Sequence, residues 1–245
     1  MTAMNEYTSK IVALVEDIEE SQSVSMGKAA RMMADALKRD GIIYTFGTGH
    51  SHIIAEDVAY RAGGLVPVDA ILEPSLTGHQ QVHKSETMER VEGMAQVIFD
   101  YYGITEKDII IVISNSGRNA APIEMAQICQ QHNVPVIALT SMSYTNNVTS
   151  RHSSGTKLFE HADVVIDNRT PFGDCLIELE DVSQPIGPGS GVTGLYILHA
   201  LMVQTIECLK DDGFEPPIFR SGNLDGSDVY NKAFLEKYHG RIKLW

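Results

Sequence analysis

Lysine and arginine are scarce in this chain: 19 stand against 32 aspartates and glutamates, a formal net charge of −13 over 245 residues. A chain this acidic lacks the clustered basic side chains that nucleic acid or an anionic membrane surface draws on. Any anionic ligand must therefore be held by local dipoles and hydrogen bonds. Cysteine is scarce too. The three present, Cys129, Cys175 and Cys208, are odd in number, widely separated and without C-x-x-C spacing, which excludes a disulfide framework and suits a reducing compartment. No basic patch followed by an apolar core opens the sequence, and no continuous apolar run approaches the roughly 18 residues of a membrane span. The expectation is a cytoplasmic protein with no nucleic-acid and no membrane partner. Internal repeats and low-complexity segments are also missing.

What is present is alternation. At 43% hydrophobic content the chain can bury one large core, and strand-like runs alternate with helical patterns. Tyr7, Ile11, Leu14, Val15 and Ile18 fall at helical spacing, and a second amphipathic stretch runs from Val24 to Leu37 before Gly41. These predict an N-terminal helical hairpin over residues 3–39. Strands are expected at 42–46, 66–71, 109–113, 134–139 and 164–167, with helices near 52–62, 86–102, 120–132 and 192–209. Ile109 to Ile113 is apolar at every position, as a central parallel strand covered on both faces must be. The predicted fold is α/β, a three-layer α/β/α sandwich around a five-stranded parallel sheet. One domain is expected over 1–245, with its core at 41–210. Residues 141–157, rich in Ser, Thr and Asn, should form a surface loop. A tail at 214–245 should wrap the body or a partner subunit.

Two loops stand out because they repeat one design. Gly47-Thr48-Gly49-His50-Ser51 follows the first apolar strand, and Ser114-Asn115-Ser116-Gly117-Arg118-Asn119 follows the central one. In an open parallel sheet such turns form the ligand crevice, where helix N-termini offer unpaired N–H groups to an anion. A dinucleotide fingerprint would need a third glycine where His52 stands and an acidic residue closing the second strand at the right distance, and the chain has neither. Helix capping accounts for Ser116 or Asn119 alone. It does not account for four such residues together.

The two loops, together with Val134-Pro135-Val136-Ile137-Ala138-Leu139-Thr140-Ser141, resemble the sugar isomerase (SIS) domain family in order and separation. The likeness covers residues 41–210 and is nearest to the subgroup of phosphoheptose isomerase and N-acetylmuramic acid 6-phosphate etherase. Ser221 to Asp228, with Tyr230 and Asn231, resembles a branch of that family labelled only as SIS-domain proteins. The resemblance implies a flavodoxin-like sandwich, a phosphorylated sugar as ligand and a homodimer or homotetramer that completes the site. By that resemblance Ser51, Ser114, Ser116 and Asn119 would bond phosphate oxygens, with Gly47, Thr48, Gly49, His50, Asn115 and Gly117 shaping the cradle.

The catalytic residues do not carry over. Ten residues after Ser51 the subgroup has a catalytic Glu where this chain has Arg61, and six after it phosphoheptose isomerase has His where this chain has Asp57. Aldose–ketose isomerisation needs a base within reach of the C1 and C2 protons. Residues 73–89 should face the ligand and offer Glu73, His79, His83, Glu86 and Glu89. Glu73 or Glu86 is the expected base, with His79 and His199 as further candidates. Glu89 lies nearest to a second acidic residue of the etherase, although Glu86 and Glu89 also suit the solvated first turn of a helix. The His79/His83 and His50/His52 spacings invite a metal, yet no cysteine joins them and the family's metal positions do not match. No metal and no cofactor are expected. A non-catalytic phosphosugar sensor and a lyase-type etherase are the alternative functions.

Overall fold

Five parallel strands build the sheet of the computed structural model, which describes residues 2–245: β1 (Ile43–Gly47), β2 (Val68–Ile71), β3 (Ile109–Ile113), β4 (Val136–Thr140) and β5 (Val164–Asp167). They lie in the order β2-β1-β3-β4-β5, the flavodoxin-like arrangement, with β3 paired in register to β1 (Ile43 to Ile109) and to β4 (Ile113 to Leu139). Strand side chains alternate between faces, and the core divides accordingly. Ile109, Ile111 and Ile113 join one buried cluster; Ile110 and Val112 join the other. This is why β3 carries no polar residue.

The first cluster is covered by α1 (Ala3–Lys38), α2 (Ser51–Asp57) and α8 (Ser190–Asp211). The short α3 (Pro74–Thr77), α4 (Val82–Met88) and α7 (Met142–Asn146) sit in connections, while α5 (Met94–Tyr102), α6 (Ala120–Gln131) and α9 (Ser227–Tyr238) contribute to the second cluster. A small antiparallel hairpin, β6 (Cys175–Ile177) with β7 (Ile186–Pro188), completes the chain. Helix α8 is long and apolar enough to meet the length of a membrane span, but it is a core helix here, with Ile197, Leu198, Leu201, Met202 and Leu209 buried.

The predicted N-terminal hairpin is replaced by one continuous helix of 36 residues. The polar stretch Glu19 to Ser23 contains neither glycine nor proline, so nothing breaks the backbone ladder there. Gln22 within it accepts the Asp167 N–H of edge strand β5 at 3.0 Å. Beyond it Met26, Ala29, Ala30, Met33, Ala34 and Leu37 bury against the sheet and α8, whereas the N-terminal half reaches over β6 and β7. There Tyr7 donates to the Pro188 carbonyl at 2.8 Å and Lys10 to that of Leu176 at 2.6 Å.

Two other predicted segments differ. The helix predicted at 86–102 is two helices, separated at Gly93, whose φ of 88° is left-handed. The stretch after Thr140 holds α7, with Ser141 and Thr145 buried, rather than only a surface loop. The tail does wrap the body: Phe219 exchanges backbone bonds with Gly63 and Gly64, Phe219 and Trp245 pack with Tyr60, and the Lys243 N–H reaches buried Asp69 at 2.7 Å.

Candidate functional site

Both hydroxyl-rich loops emerge at the carboxyl ends of adjacent strands, β1 and β3, and face one another. After β1 the chain must turn sharply into α2. A Cβ on Gly47 would lie 2.5 Å from the Ser51 carbonyl oxygen, so only glycine lets the helix start this close to the strand. Ser51 then opens α2, and its hydroxyl has no protein partner among the described residues.

After β3, Gly117 adopts φ 58°, and a Cβ there would meet the Thr145 hydroxyl at 2.7 Å. The loop is locked from inside. Ser114 Oγ accepts the Gly117 N–H at 3.2 Å, Thr145 donates to the Ser116 carbonyl at 2.6 Å, and the Asn115 carboxamide oxygen accepts from Asn168 at 2.8 Å. Such bonds hold the Ser116 hydroxyl, itself without a protein partner among the described residues, toward the space between the loops. Asn119 occupies the N-cap position of α6 but makes no capping bond. Its side chain serves another residue.

That residue is Glu89, just past α4. Its carboxylate accepts the Thr48 hydroxyl at 2.5 Å on one oxygen and the Asn119 amide at 2.7 Å on the other. The Asn119 oxygen in turn accepts from Arg151 at 3.1 Å, and the Glu89 carbonyl accepts the Ala121 N–H at 3.0 Å. One carboxylate thus joins the first loop to the second. Burial pushes its pKa up, against the opposing pull of the Thr48 bond and of Arg90 and Arg151.

Between the loops lies a cavity of about 640 Å³. Thr48, Gly49, His50 and Ser51 line it from β1, and Ser114, Asn115, Ser116 and Asn119 from β3. Ser85, Glu86 and Glu89 close one side, and Tyr144, Asn168, Asp174 and Ser190 the other. Apolar side chains, among them Ile54, Ile113, Leu139 and Leu195, complete the wall. The size and the mixed lining suit a small polar ligand.

Residues 6–141 match the family model described as SIS domain. The chain belongs to the SIS-domain family. It is 41% identical over 237 residues to a UPF0309 protein of Halalkalibacterium halodurans, covering 97% of this chain and 98% of that one. A UPF0309 protein of Geobacillus kaustophilus is 40% identical, with 98% and 95% covered. Among solved structures, phosphoheptose isomerase from Neisseria gonorrhoeae superposes with a TM-score of 0.58 at 17% identity, over 83% of this chain and 97% of that one. The Vibrio vulnificus NanR protein complexed with ManNAc-6P superposes with a TM-score of 0.52 at 14% identity, over 98% and 70%. At these identities the superpositions establish the shared fold.

Within this SIS domain the predicted cradle residues come together: eight line the cavity, while Gly47 and Gly117 shape the turns beneath it. The predicted catalytic residues separate. Glu86 reaches the cavity. Glu73 instead caps α3, accepting the Ser75 N–H at 3.2 Å and its hydroxyl at 2.8 Å. His79 meets His52, away from the cavity lining. His199 lines a separate pocket of about 370 Å³, where it bonds Asp57 at 2.7 Å while Arg61 pairs with the same carboxylate at 2.6 Å. The two positions at which this chain departs from its subgroup are therefore consumed by an ion pair with each other. Glu89, a secondary candidate in the sequence, is the carboxylate at the centre. Asn168, Asp174 and Ser190 carried no local signal, since the connections after β5 and β7 bring them in.

Proposed function

We propose that this SIS-domain protein binds a phosphorylated sugar in the cavity between β1 and β3 and isomerises its open-chain form, with Glu89 as the proton-transfer group. The observation that carries this reading is the half-buried Glu89 carboxylate bridging Thr48 and Asn119 beside two unpartnered hydroxyls. Ser51, Ser114 and Ser116, with the loop N–H groups and the N-terminus of α6, would hold the phosphate. Each charge-assisted bond contributes roughly 1.5–3 kcal/mol, which lets an acidic protein bind an anion locally. The phosphate end so fixed, the sugar chain extends toward Glu89 and Glu86.

A carboxyl whose proton affinity is raised by burial suits transfer at neutral pH. Glu89 would take the proton from the carbon next to the carbonyl; that C–H pair would form the enediol double bond as the carbonyl π pair moves onto its oxygen, which takes up the proton of the neighbouring hydroxyl, and as the second oxygen forms the new carbonyl the double-bond pair would take the proton back from Glu89 at the former carbonyl carbon. Two structural neighbours, a phosphoheptose isomerase and a NanR protein complexed with ManNAc-6P, support a phosphosugar ligand. The Arg61–Asp57–His199 network favours a second reading, a phosphosugar sensor without turnover, because it occupies the positions where the subgroup keeps catalytic groups. In either case we expect a homodimer or homotetramer, consistent with Val24 and Val203 left exposed on α1 and α8.

The test is a thermal-shift screen of hexose, heptose, N-acetylhexosamine and muramic acid 6-phosphates against the free sugars, followed by NMR of each binder for interconversion. Saturation at 100 times Kd stabilises by about 2.7 kcal/mol, a midpoint rise of roughly 2–4 °C. A rise with phosphorylated sugars only, and interconversion of one of them, is the expected result. Binding without interconversion selects the sensor; no rise with any of them rejects both.

A further inference from the structure

From the sequence a metal is not expected, because the His79/His83 and His50/His52 spacings are common, no cysteine joins them and the family's metal positions do not match. Folding gives His79 a different neighbour. His83 is exposed and lies 3.7 Å from Glu86, whereas His79 Nε2 sits 2.9 Å from His52 Nε2, the two rings edge-on at 89°. His52 and Glu56 are one turn apart on α2, on the same face. The ligand atoms of His52, Glu56 and His79 all lie within 4.8 Å of one another.

We infer that His52, Glu56 and His79 form a binding site for a divalent transition-metal ion of the zinc class. The tautomer supports it. His52 is 4% exposed, and its Nδ1 is hydrogen-bonded to the Gly49 carbonyl. A carbonyl only accepts, so Nδ1 carries the hydrogen and Nε2 presents a lone pair toward His79. An imidazole oriented by a backbone carbonyl behind it is the usual setting of a metal-ligating histidine. Two imidazoles and a carboxylate are a donor set for zinc, leaving a fourth position for water.

The fit requires a small adjustment. Two Zn–N bonds of about 2.0–2.1 Å at a tetrahedral angle place the nitrogens roughly 3.3 Å apart. His79, exposed in the connection between α3 and α4, can retreat by that difference without disturbing the core. The other acidic cluster with a histidine, Glu92, Glu124 and His152, is committed already. Both Glu124 oxygens accept the Gly93 N–H, and Glu92 accepts the N–H and hydroxyl of Ser153.

A bound ion would act by position. None of the three residues lines the cavity, so the metal would touch neither phosphate nor Glu89. It would pin the start of α2, next to Ser51, to the segment that leads into α4, Glu86 and Glu89. This inference is independent of the phosphosugar reading.

The test is titration of the chelator-treated full chain with Zn²⁺ against a chromophoric competitor, with thermal melting alongside, for the wild type, His79→Gln, His52→Gln and Glu124→Gln. Expected are one Zn²⁺ per chain, a raised melting midpoint, and an affinity loss of at least about 100-fold in His79→Gln and His52→Gln, above what loss of an outer partner costs. Glu124→Gln should bind as the wild type does. His79 is exposed, so its variant tests the site without threatening the fold. Co²⁺ should give an intense visible ligand-field band in the wild type that His79→Gln lacks. Wild-type binding no tighter than that of His79→Gln, or binding lost in Glu124→Gln instead, overturns the assignment.

Discussion

Asn119 stands at the N-cap of α6, yet its amide donates to Glu89, 2.7 Å away, and its oxygen, which would otherwise accept a helix N–H, accepts from Arg151. A capping bond is worth about 1 kcal/mol, so its diversion marks a competing demand at this position. That demand is the placement of a half-buried carboxylate between the two loops.

Glu89→Gln keeps the size of the side chain and retains a carbonyl oxygen for one of its two donors. If Glu89 moves the proton, turnover of the sugar phosphate identified by screening should fall by about 10²–10⁴-fold while its Kd changes only a few-fold. Steady-state kinetics with calorimetric binding would check this. Turnover within three-fold of wild type would remove Glu89 from the mechanism.

Ser116 offers a hydroxyl that no protein group uses. Replacing it by Ala should weaken binding of a sugar phosphate by roughly ten-fold or more, the equivalent of one charge-assisted hydrogen bond, without altering the melting midpoint of the free protein. Unchanged affinity for every phosphorylated ligand that binds the wild type would refute the cradle.

Gly117 combines a left-handed φ of 58° with only 2.7 Å between its missing Cβ and the Thr145 hydroxyl. Gly117→Ala should therefore destabilise by about 1–3 kcal/mol, and pairing it with Thr145→Ser should recover little, because the clashing oxygen stays. Urea unfolding of the two variants measures both effects. A loss below about 0.5 kcal/mol would mean the loop relaxes freely.

Asp69, on β2, accepts the Lys243 N–H through Oδ2 while its buried Oδ1 has no partner. Burial raises its pKa from 3.8 to about 6, against the pull of the Lys243 and Leu244 backbone bonds. The folded state then holds this proton more tightly than the unfolded chain, so the group favours folding below about pH 4, and that advantage is lost as the pH rises to about 6. The loss amounts to about 3 kcal/mol at about 1.4 kcal/mol per unit. Asp69→Asn should flatten this component in denaturant melts at pH 4.5 and pH 7. A variant whose pH dependence matches the wild type would place the effect elsewhere.

Much of the architecture was legible because it depends on short-range patterns. Ile109 to Ile113 announced a doubly covered strand, and the strand at Val164 to Asp167 was found to the residue. The helical hairpin was not, since a polar stretch without glycine or proline is equally a turn or an exposed helical face. Only the docking of α1 along the sheet, with Gln22 satisfying β5, decides between them.

The site divides in the same way. The glycines and serines of both loops were readable because left-handed turns and helix starts demand particular residues locally. Which of Glu73, Glu86 and Glu89 enters the site cannot be read locally, for each is an acidic residue in the stretch that follows the second strand. Their roles separate only where α4 ends and its last carbonyls meet α6, which leaves Glu73 as a cap and carries Glu89 under Thr48. His52 and His79, 27 residues apart, likewise meet through packing alone. By itself the sequence determined the five strands of the parallel sheet, the two loops and the family, because steric rules and hydrophobic periodicity act over a few residues. The tertiary structure decided which carboxylate and which histidines face one another, because those distances are set by contacts between segments far apart in the chain.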